Sequence, residues 1–249
     1  MKISILLPYK ENFSPDYAGA VSLMVNDTTN QSAFKNNIKI IGSTNFKKKL
    51  NLKYTNIKLS KKRFLNSHSY EYLNKFLDIE KKNNSDLIEI HNRPLYLKFL
   101  INNIKTNYFL YFHNDPLKIK GSISTSERKW LLQNCQKIIV ISKWIKNQFL
   151  KNLSVNDDLI NKIIIIPHSI NKPKNVDFLK NKQKKIIFVG RLNLQKGYDI
   201  FGKAIIKILN KFKDWEGIVV GDEPRQKIFF HHKRLKVLGF IDHKKVIKL

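Results

Sequence analysis

The sequence predicts an α/β protein built from two doubly wound, Rossmann-like domains in tandem, the second incomplete. Three observations carry that prediction. Short runs of Ile, Val, Leu and Phe alternate with segments whose apolar residues recur every three or four positions, the pattern of parallel strands joined by crossover helices. The alternation stops over residues 171–184, a polar stretch with Pro173 and no apolar period. It resumes with KKIIFVGRLNLQKGYDIFGKAIIKILNKF, which reads as a buried strand, a glycine-bounded loop and a helix. The expected organisation is a first domain over 1–170, a linker over 171–184 and a partial second domain over 185–249.

The first domain opens with a buried strand over Ile3 to Leu7, ended by Pro8, and the loop YKENFSPDYAG leads into a helix from Ala20 to about Asp27. Ile38 to Ile41 reads as a second strand, and a short third strand falls around Tyr54 to Leu59 in a lysine-rich surface. An amphipathic helix from about Ser69 to Lys82 follows, with Tyr72, Leu73, Phe76 and Leu77 on one face. The strand DLIEIH, Asp86 to His91, ends in HNRP; after a helix from Tyr96 to Ile104, the strand Tyr108 to Phe112 ends in HNDP. Two parallel strands thus each deliver a histidine, His91 and His113, at the end where such sheets bind ligands.

Ser124 to Glu127 is a capping box opening a helix that carries Trp130 and Leu131. A strand over Ile138 to Ile141 is followed by a helix capped by Ser142. Ile163 to Ile166 is a further buried strand with PHSIN at its end. In the second domain, Ile186 to Val189 forms the opening strand. The helix behind it offers Ile200, Phe201, Ala204, Ile205, Ile208, Leu209 and Phe212 to the sheet. Gly217 to Gly221 and Leu235 to Leu238 supply two more strands, and a last helix begins near the end of the chain.

Between the strand and helix of the second domain, Arg191 and Lys196 stand in a loop bracketed by Gly190 and Gly197. Free backbone N–H groups, the positive end of a helix dipole and two cations converge on such a loop, which suits a phosphate or diphosphate. The plain alternative is a strand–turn–helix with two solvated cations.

These residues resemble the GT-B glycosyltransferases, specifically the retaining group known as family 4 or glycosyl transferases group 1, whose second domain opens with a strand, GR, a spacer and KG. The resemblance implies that Arg191 and Lys196, with Gly190, hold the diphosphate of a nucleotide-sugar donor without a metal ion, and that no cofactor is needed. It implies that His113, in HNDP, lies near the donor sugar and acceptor as the catalytic-site histidine. It also places Gly19 and Ala20 where the family carries paired glycines beside donor or acceptor, and Gly221 and Asp222 in a turn near the nucleotide. The chain departs from the pattern at Ala20, at His168 and Ser169 in place of Asn and Gly, and at Glu223 in place of Gly. No acidic pair matches the family's E-x7-E element, so a chain truncated at its C-terminus is expected.

The remaining classes are constrained by composition. A formal charge of +28 invites a nucleic-acid partner, but Lys far outnumbers Arg and the cations are scattered. Lys, Asn and Ile rising together is what an AT-rich coding sequence produces. No specific nucleic acid is expected; the basic surface favours anionic membranes, acidic glycans and nucleotide diphosphates, and the resemblance implies a nucleotide-sugar donor with a glycan or lipid-linked acceptor. One cysteine, Cys135, excludes a disulfide framework. The apolar run before Pro8 is too short for a signal peptide or a membrane span, which predicts a soluble, cytoplasmic protein, and the basic surface leaves peripheral contact with the inner face of the membrane open. His231 and His232 are adjacent and offer no metal-ligand spacing. A dinucleotide oxidoreductase would need G-x-G-x-x-G after a strand, which the first domain lacks. The function the resemblance implies is transfer of a sugar, with retention, from a nucleotide-sugar donor to a glycan or lipid-linked acceptor in surface polysaccharide or lipopolysaccharide synthesis. The alternative is a noncatalytic remnant that binds nucleotide diphosphate, acceptor or membrane without turnover.

Overall fold

The computed structural model describes the chain except for residues 52, 61–66, 170–181, 224, 225, 227, 242 and 247–249, and the side chains of 243 and 244. It divides into two compact units, Met1–Asn171 and Lys172–Leu249. Most of the expected linker, residues 171–181, lies outside the described residues.

The first unit is a seven-stranded parallel sheet in the order β3-β2-β1-β4-β5-β6-β7. Its strands are β1 (Ile3–Leu6), β2 (Ile38–Gly42), β3 (Tyr54–Asn56), β4 (Leu87–His91), β5 (Asn107–Phe112), β6 (Lys137–Val140) and β7 (Ile163–Ile165). From β1 the chain winds outward one way through β2 and β3, then crosses back to β4 and runs the other way. The strand order therefore reverses between β1 and β4, and the crevice at the carboxyl ends of that pair is where such sheets bind ligands.

Period-two alternation sorts the strand residues. Leu6, Ile41, Ile88, Ile90, Leu110, Phe112, Ile138 and Val140 face one buried cluster, completed by Tyr72, Phe76, Leu97, Leu100, Leu131 and Phe149. Ile3, Ile5, Leu7, Ile38 and Ile40 face the other, under Val25 and Phe13. The Tyr72 hydroxyl donates to the Leu7 carbonyl at 2.8 Å, tying the helix α2 (His68–Asn83) to the end of β1. Burial pushes the Cys135 thiol up to about 12, so it packs as a small apolar group.

Helix boundaries follow local chemistry. Helix α1 (Ala20–Gln31) runs four residues past the expected stop: its polar tail stays helical, and Thr28 Oγ1 donates back to the Met24 carbonyl at 2.9 Å. α3 (Pro94–Ile101) starts two residues early because Pro94 fits the first turn, where no amide hydrogen is needed. Ser124 and Glu127 form the full capping box of α4 (Thr125–Asn134), and Ser142 accepts from the Ile145 amide at the start of α5 (Lys143–Leu150). A single turn, α6 (Asp157–Ile160), was not expected; Asn156 caps it through the Leu159 amide.

The second unit carries β8 (Lys185–Val189), α7 (Tyr198–Lys211), β9 (Glu216–Val220), β10 (Leu235–Val237) and a short α8 (His243–Val246). Its parallel sheet has the order β10-β9-β8, three strands rather than a full doubly wound sheet. Two expectations are corrected. The opening strand is half exposed, with Val189 57% exposed, because α7 covers the face that carries Phe188 and Val189 lies on the other. The inward stripe of α7 is Tyr198, Gly202, Ile205 and Leu209, while Ile200 is 70% exposed. Phe230 packs against Tyr198 in a T-shaped pair and lies over Gly202, on that stripe. The apolar set read from the sequence was wider than one face.

Candidate functional site

The loop from Gly190 to Gly197 is fixed at both ends and from beneath. Gly190 N donates to the Val220 carbonyl at 3.0 Å, and Leu192 N lies 3.4 Å from the Asp222 carbonyl, so the ends of β8 and β9 are zipped together. Gly221 makes that approach feasible: its φ is +127°, and a β-carbon there would lie 1.9 Å from the Gly190 carbonyl oxygen. One turn of 3-10 helix, Leu194–Lys196, then leads to Gly197 at φ +70°, which caps α7. Asn193, 3% exposed, accepts from the Lys196 amide at 3.1 Å and donates to Glu223 Oε2 at 3.3 Å.

The cations stand outside this frame. The Arg191 side chain is 55% exposed, with Nη1 4.0 Å from Glu223 Oε2, and Lys196 is exposed. The structure thus brings Gly190, Arg191, Lys196, Gly221 and Asp222 together around the start of α7. The sequence reading missed Asn193 and Glu223, which hold the loop from below. The signal was present in part, since Glu223 was the residue that broke the expected glycine pattern.

In the first unit, Gly19 caps α1, but what approaches it is the chain's own carboxylate. Glu11 Oε1 accepts from the Ser22 amide at 3.1 Å and would lie 1.9 Å from a β-carbon on Gly19. Ala20 begins the helix beside it and is exposed. At the strand-order reversal, a cleft of about 640 Å³ opens between residues after β1 and after β4. Lys10, Arg93, Lys118 and Lys120 line it together with Tyr9 and Tyr96. Lys10 and Asn92, at the mouths of those strands, both have positive φ, 73° and 51°. Strained backbone of this kind concentrates at ligand sites.

His113 sits at the end of β5 in the middle of a chain of side chains. Its Nε2 is 2.8 Å from His91 Nδ1, its Nδ1 is 2.8 Å from His168 Nε2, and His91 Nε2 is 2.8 Å from Glu89 Oε1. The His113 amide donates to Asn92 Oδ1 at 2.8 Å. Burial, then the neighbouring His91 and His168, holds the His113 imidazole down to about 3, so it is neutral. Both its ring nitrogens are occupied. His168, exposed and three residues past β7, is the end that meets solvent. The sequence reading noted His91, His113 and His168 separately; the sheet order that unites them lies in long-range strand pairing.

The architecture is the GT-B type: Rossmann-like, doubly wound α/β domains with parallel sheets, the second smaller. No family model matches the sequence. Among solved structures, the chain is similar to Anabaena HepE in complex with UDP-glucose, with a TM-score of 0.65 at 12% identity over 97% of this chain and 70% of that one. It is also similar to sucrose-phosphate synthase from Thermosynechococcus elongatus, with a TM-score of 0.68 at 14% identity over 99% of this chain and 72% of that one. By sequence, it is 31% identical over 131 residues to the phosphatidylinositol N-acetylglucosaminyltransferase GPI3 subunit of Saccharomyces cerevisiae. That match takes in 46% of this chain and 28% of the yeast protein, so the chain spans less than a third of this relative's length. Among the described residues no helix is long and apolar enough to cross a membrane.

Proposed function

We propose that this chain carries the donor-diphosphate and acceptor elements of a retaining, nucleotide-sugar-dependent glycosyltransferase. The observation that carries the reading is the loop between β8 and α7. There Arg191 and Lys196 stand exposed over a framework of Asn193, Glu223 and the Gly190–Gly221 contact. Two cations at a helix N-terminus would stabilise the negative charge that develops on a departing nucleoside diphosphate, the part a metal plays in other transferases. The GT-B fold and a similar structure solved with UDP-glucose support a nucleotide-sugar donor.

The cationic cleft at the β1–β4 reversal holds the anionic part of the acceptor in this reading. Lys10, Arg93, Lys118 and Lys120 suit an anionic or phosphate-bearing glycan or lipid-linked acceptor, and the yeast relative's name supports a lipid-linked one. The basic surface would hold the protein peripherally at the inner face of an anionic membrane, where such acceptors are displayed. Synthesis of a surface polysaccharide or lipopolysaccharide is the process this implies.

The test is a transfer assay with radiolabelled UDP- and GDP-sugars against polar and lipid-linked acceptor pools. Incorporation with the anomeric configuration of the donor preserved supports the proposal. Nucleotide binding without incorporation or donor hydrolysis means a noncatalytic binder, and neither result means the reading is wrong.

A further inference from the structure

Glu89, His91 and His113 lie on one face of the sheet because alternate residues of β4 and β5 point the same way, and His91 is in register with Tyr111. His91 is fully buried, Glu89 is 16% exposed and His113 is 8% exposed, whereas His168 is open to solvent. The three imidazoles and the carboxylate are therefore joined end to end by three contacts of 2.8 Å, with the buried His91 and His113 in the middle and His168 at the open end.

The arrangement is linear rather than convergent. His91 and His113 each spend both ring nitrogens on neighbours. Two nitrogens bound to one tetrahedral zinc ion would lie roughly 3.3 Å apart at the usual bond lengths. Direct contacts of 2.8 Å are hydrogen bonds. An ionised carboxylate only accepts, so Glu89 fixes the proton of neutral His91 on Nε2 and leaves Nδ1 as an acceptor. His113 must then donate from Nε2, and His168 must donate from its own Nε2 to His113 Nδ1. One partly buried carboxylate sets the tautomer of all three rings and leaves His168 Nδ1 as the outward-facing basic nitrogen.

We infer that Glu89, His91, His113 and His168 form a proton relay that removes a proton from a hydroxyl group of a sugar or polyol acceptor at His168 Nδ1 and stores it at the buried end. This rests on the glycosyl-transfer reading for its substrate class. As the acceptor oxygen bonds to the sugar, its O–H bond breaks and a new N–H bond forms at His168 Nδ1. The His168 Nε2 proton passes to His113 Nδ1, and the His113 Nε2 proton passes to His91 Nδ1. The proton count balances, and the added charge rests on His91 as an imidazolium against the Glu89 carboxylate. His113 is a conduit: its buried ring resists holding charge of its own. Return of the proton to solvent reverses each hop. His168 is the catalytic residue of the scheme, and Glu89, His91 and His113 act through it. Among the described residues Tyr111 also faces the relay, its ring stacked on His91 at 4.7 Å; burial and then the Glu89 charge push its phenol up, so it stays neutral.

The experiment uses the full chain with histidine labelled by ¹⁵N. At neutral pH the expected spectrum shows His91, His113 and His168 all as Nε2–H tautomers, with couplings across the His113-to-His91 and His168-to-His113 hydrogen bonds. On acidification from neutral pH, His113 should stay neutral, as its burial demands. A His113 Nδ1–H tautomer, or absent couplings in the folded protein, overturns the relay. In the transfer assay, His168→Asn, a surface change, should lower kcat by about 10²-fold with nucleotide-sugar binding within twofold. Glu89→Gln removes a negative charge beside the chain, so it should shift the acidic limb of the kcat profile to lower pH, a change that looser packing alone would not produce. An unmoved limb together with an active His168→Asn enzyme overturns the proposal while leaving glycosyl transfer intact. The expected tautomers with no transfer of any sugar overturn its substrate and the functional reading, leaving the hydrogen-bonded chain.

Discussion

Replacing Gly221 with alanine tests the frame of the anion loop with a magnitude that can be worked from its geometry. At φ +127° an L side chain costs about 1–3 kcal/mol. The new β-carbon would also lie 1.9 Å from the Gly190 carbonyl oxygen, and neither backbone can yield without separating the β8 and β9 ends. That separation puts at risk the Gly190 N to Val220 O bond at 3.0 Å and the Leu192 N to Asp222 O bond at 3.4 Å. At about 1 kcal/mol each, these bring the total to roughly 3–5 kcal/mol. Two neighbours calibrate the measurement. Gly197→Ala meets nothing within 4 Å and bears only its φ of +70°, about 1–2 kcal/mol. Gly190→Ala, whose β-carbon would sit 3.6 Å from Phe188, should be nearly neutral. Urea denaturation, followed by Trp215 fluorescence with Trp130 and Trp144 replaced by Phe, reads the second unit in each variant. The expected order of destabilisation is Gly221→Ala, then Gly197→Ala, then Gly190→Ala. A Gly221→Ala variant no less stable than Gly190→Ala would refute the proposed contact.

Further outcomes follow for the first unit. The neutral, buried His113 protonates in the unfolded chain near pH 6.5 but in the folded one only near 3. Stability is therefore intact above pH 6.5 and falls by up to about 1.4 kcal/mol per pH unit as pH drops from 6.5 toward 3. Urea midpoints from pH 7 to pH 4 should show this slope, reduced in His113→Gln; equal slopes would count against the burial of this ring. Arg128, 2% exposed, donates to the carbonyls of Ile123 at 2.8 Å and of Lys151, joining the approach to α4 with the end of α5. Arg128→Ala should cost about 2–4 kcal/mol, measured by thermal unfolding, with a loss under about 0.5 kcal/mol contradicting the assignment. Tyr72→Phe removes the hydroxyl from the Leu7 carbonyl while keeping the ring, and a loss of about 1–2 kcal/mol is expected.

What could be read from the sequence was local. The strands IIFV, GIVV and KIIV are short β-branched runs, and the capping box at Ser124 and Glu127 is written in four consecutive residues. Strand alternation and helix period placed most elements within a few residues, and the GR and KG spacing drew attention to the Gly190–Gly197 loop. The widest errors came where neighbours decide. Phe230 packs on the inward face of α7, and Val189 is exposed because it lies on the face of β8 opposite Phe188, which meets α7. The histidine chain was hidden for the same reason. His113 and His168 are 55 residues apart, and only the order β4-β5-β6-β7 brings their strand ends to one edge. The roles of Asn193 and Glu223 depend on a side-chain bond spanning 30 residues, which no local pattern encodes.

The most direct measurement of the account is calorimetric titration of UDP and UDP-sugars into the full chain and into the variant carrying Arg191→Ala and Lys196→Ala. Losing two charge-assisted contacts at about 1.5 kcal/mol or more each should weaken binding by roughly a hundredfold or more. Binding by the wild-type chain that disappears in the double variant, with its unfolding transition unchanged, is the predicted result. Equal affinity in both proteins would contradict the assignment of the Gly190–Gly197 loop as the diphosphate site.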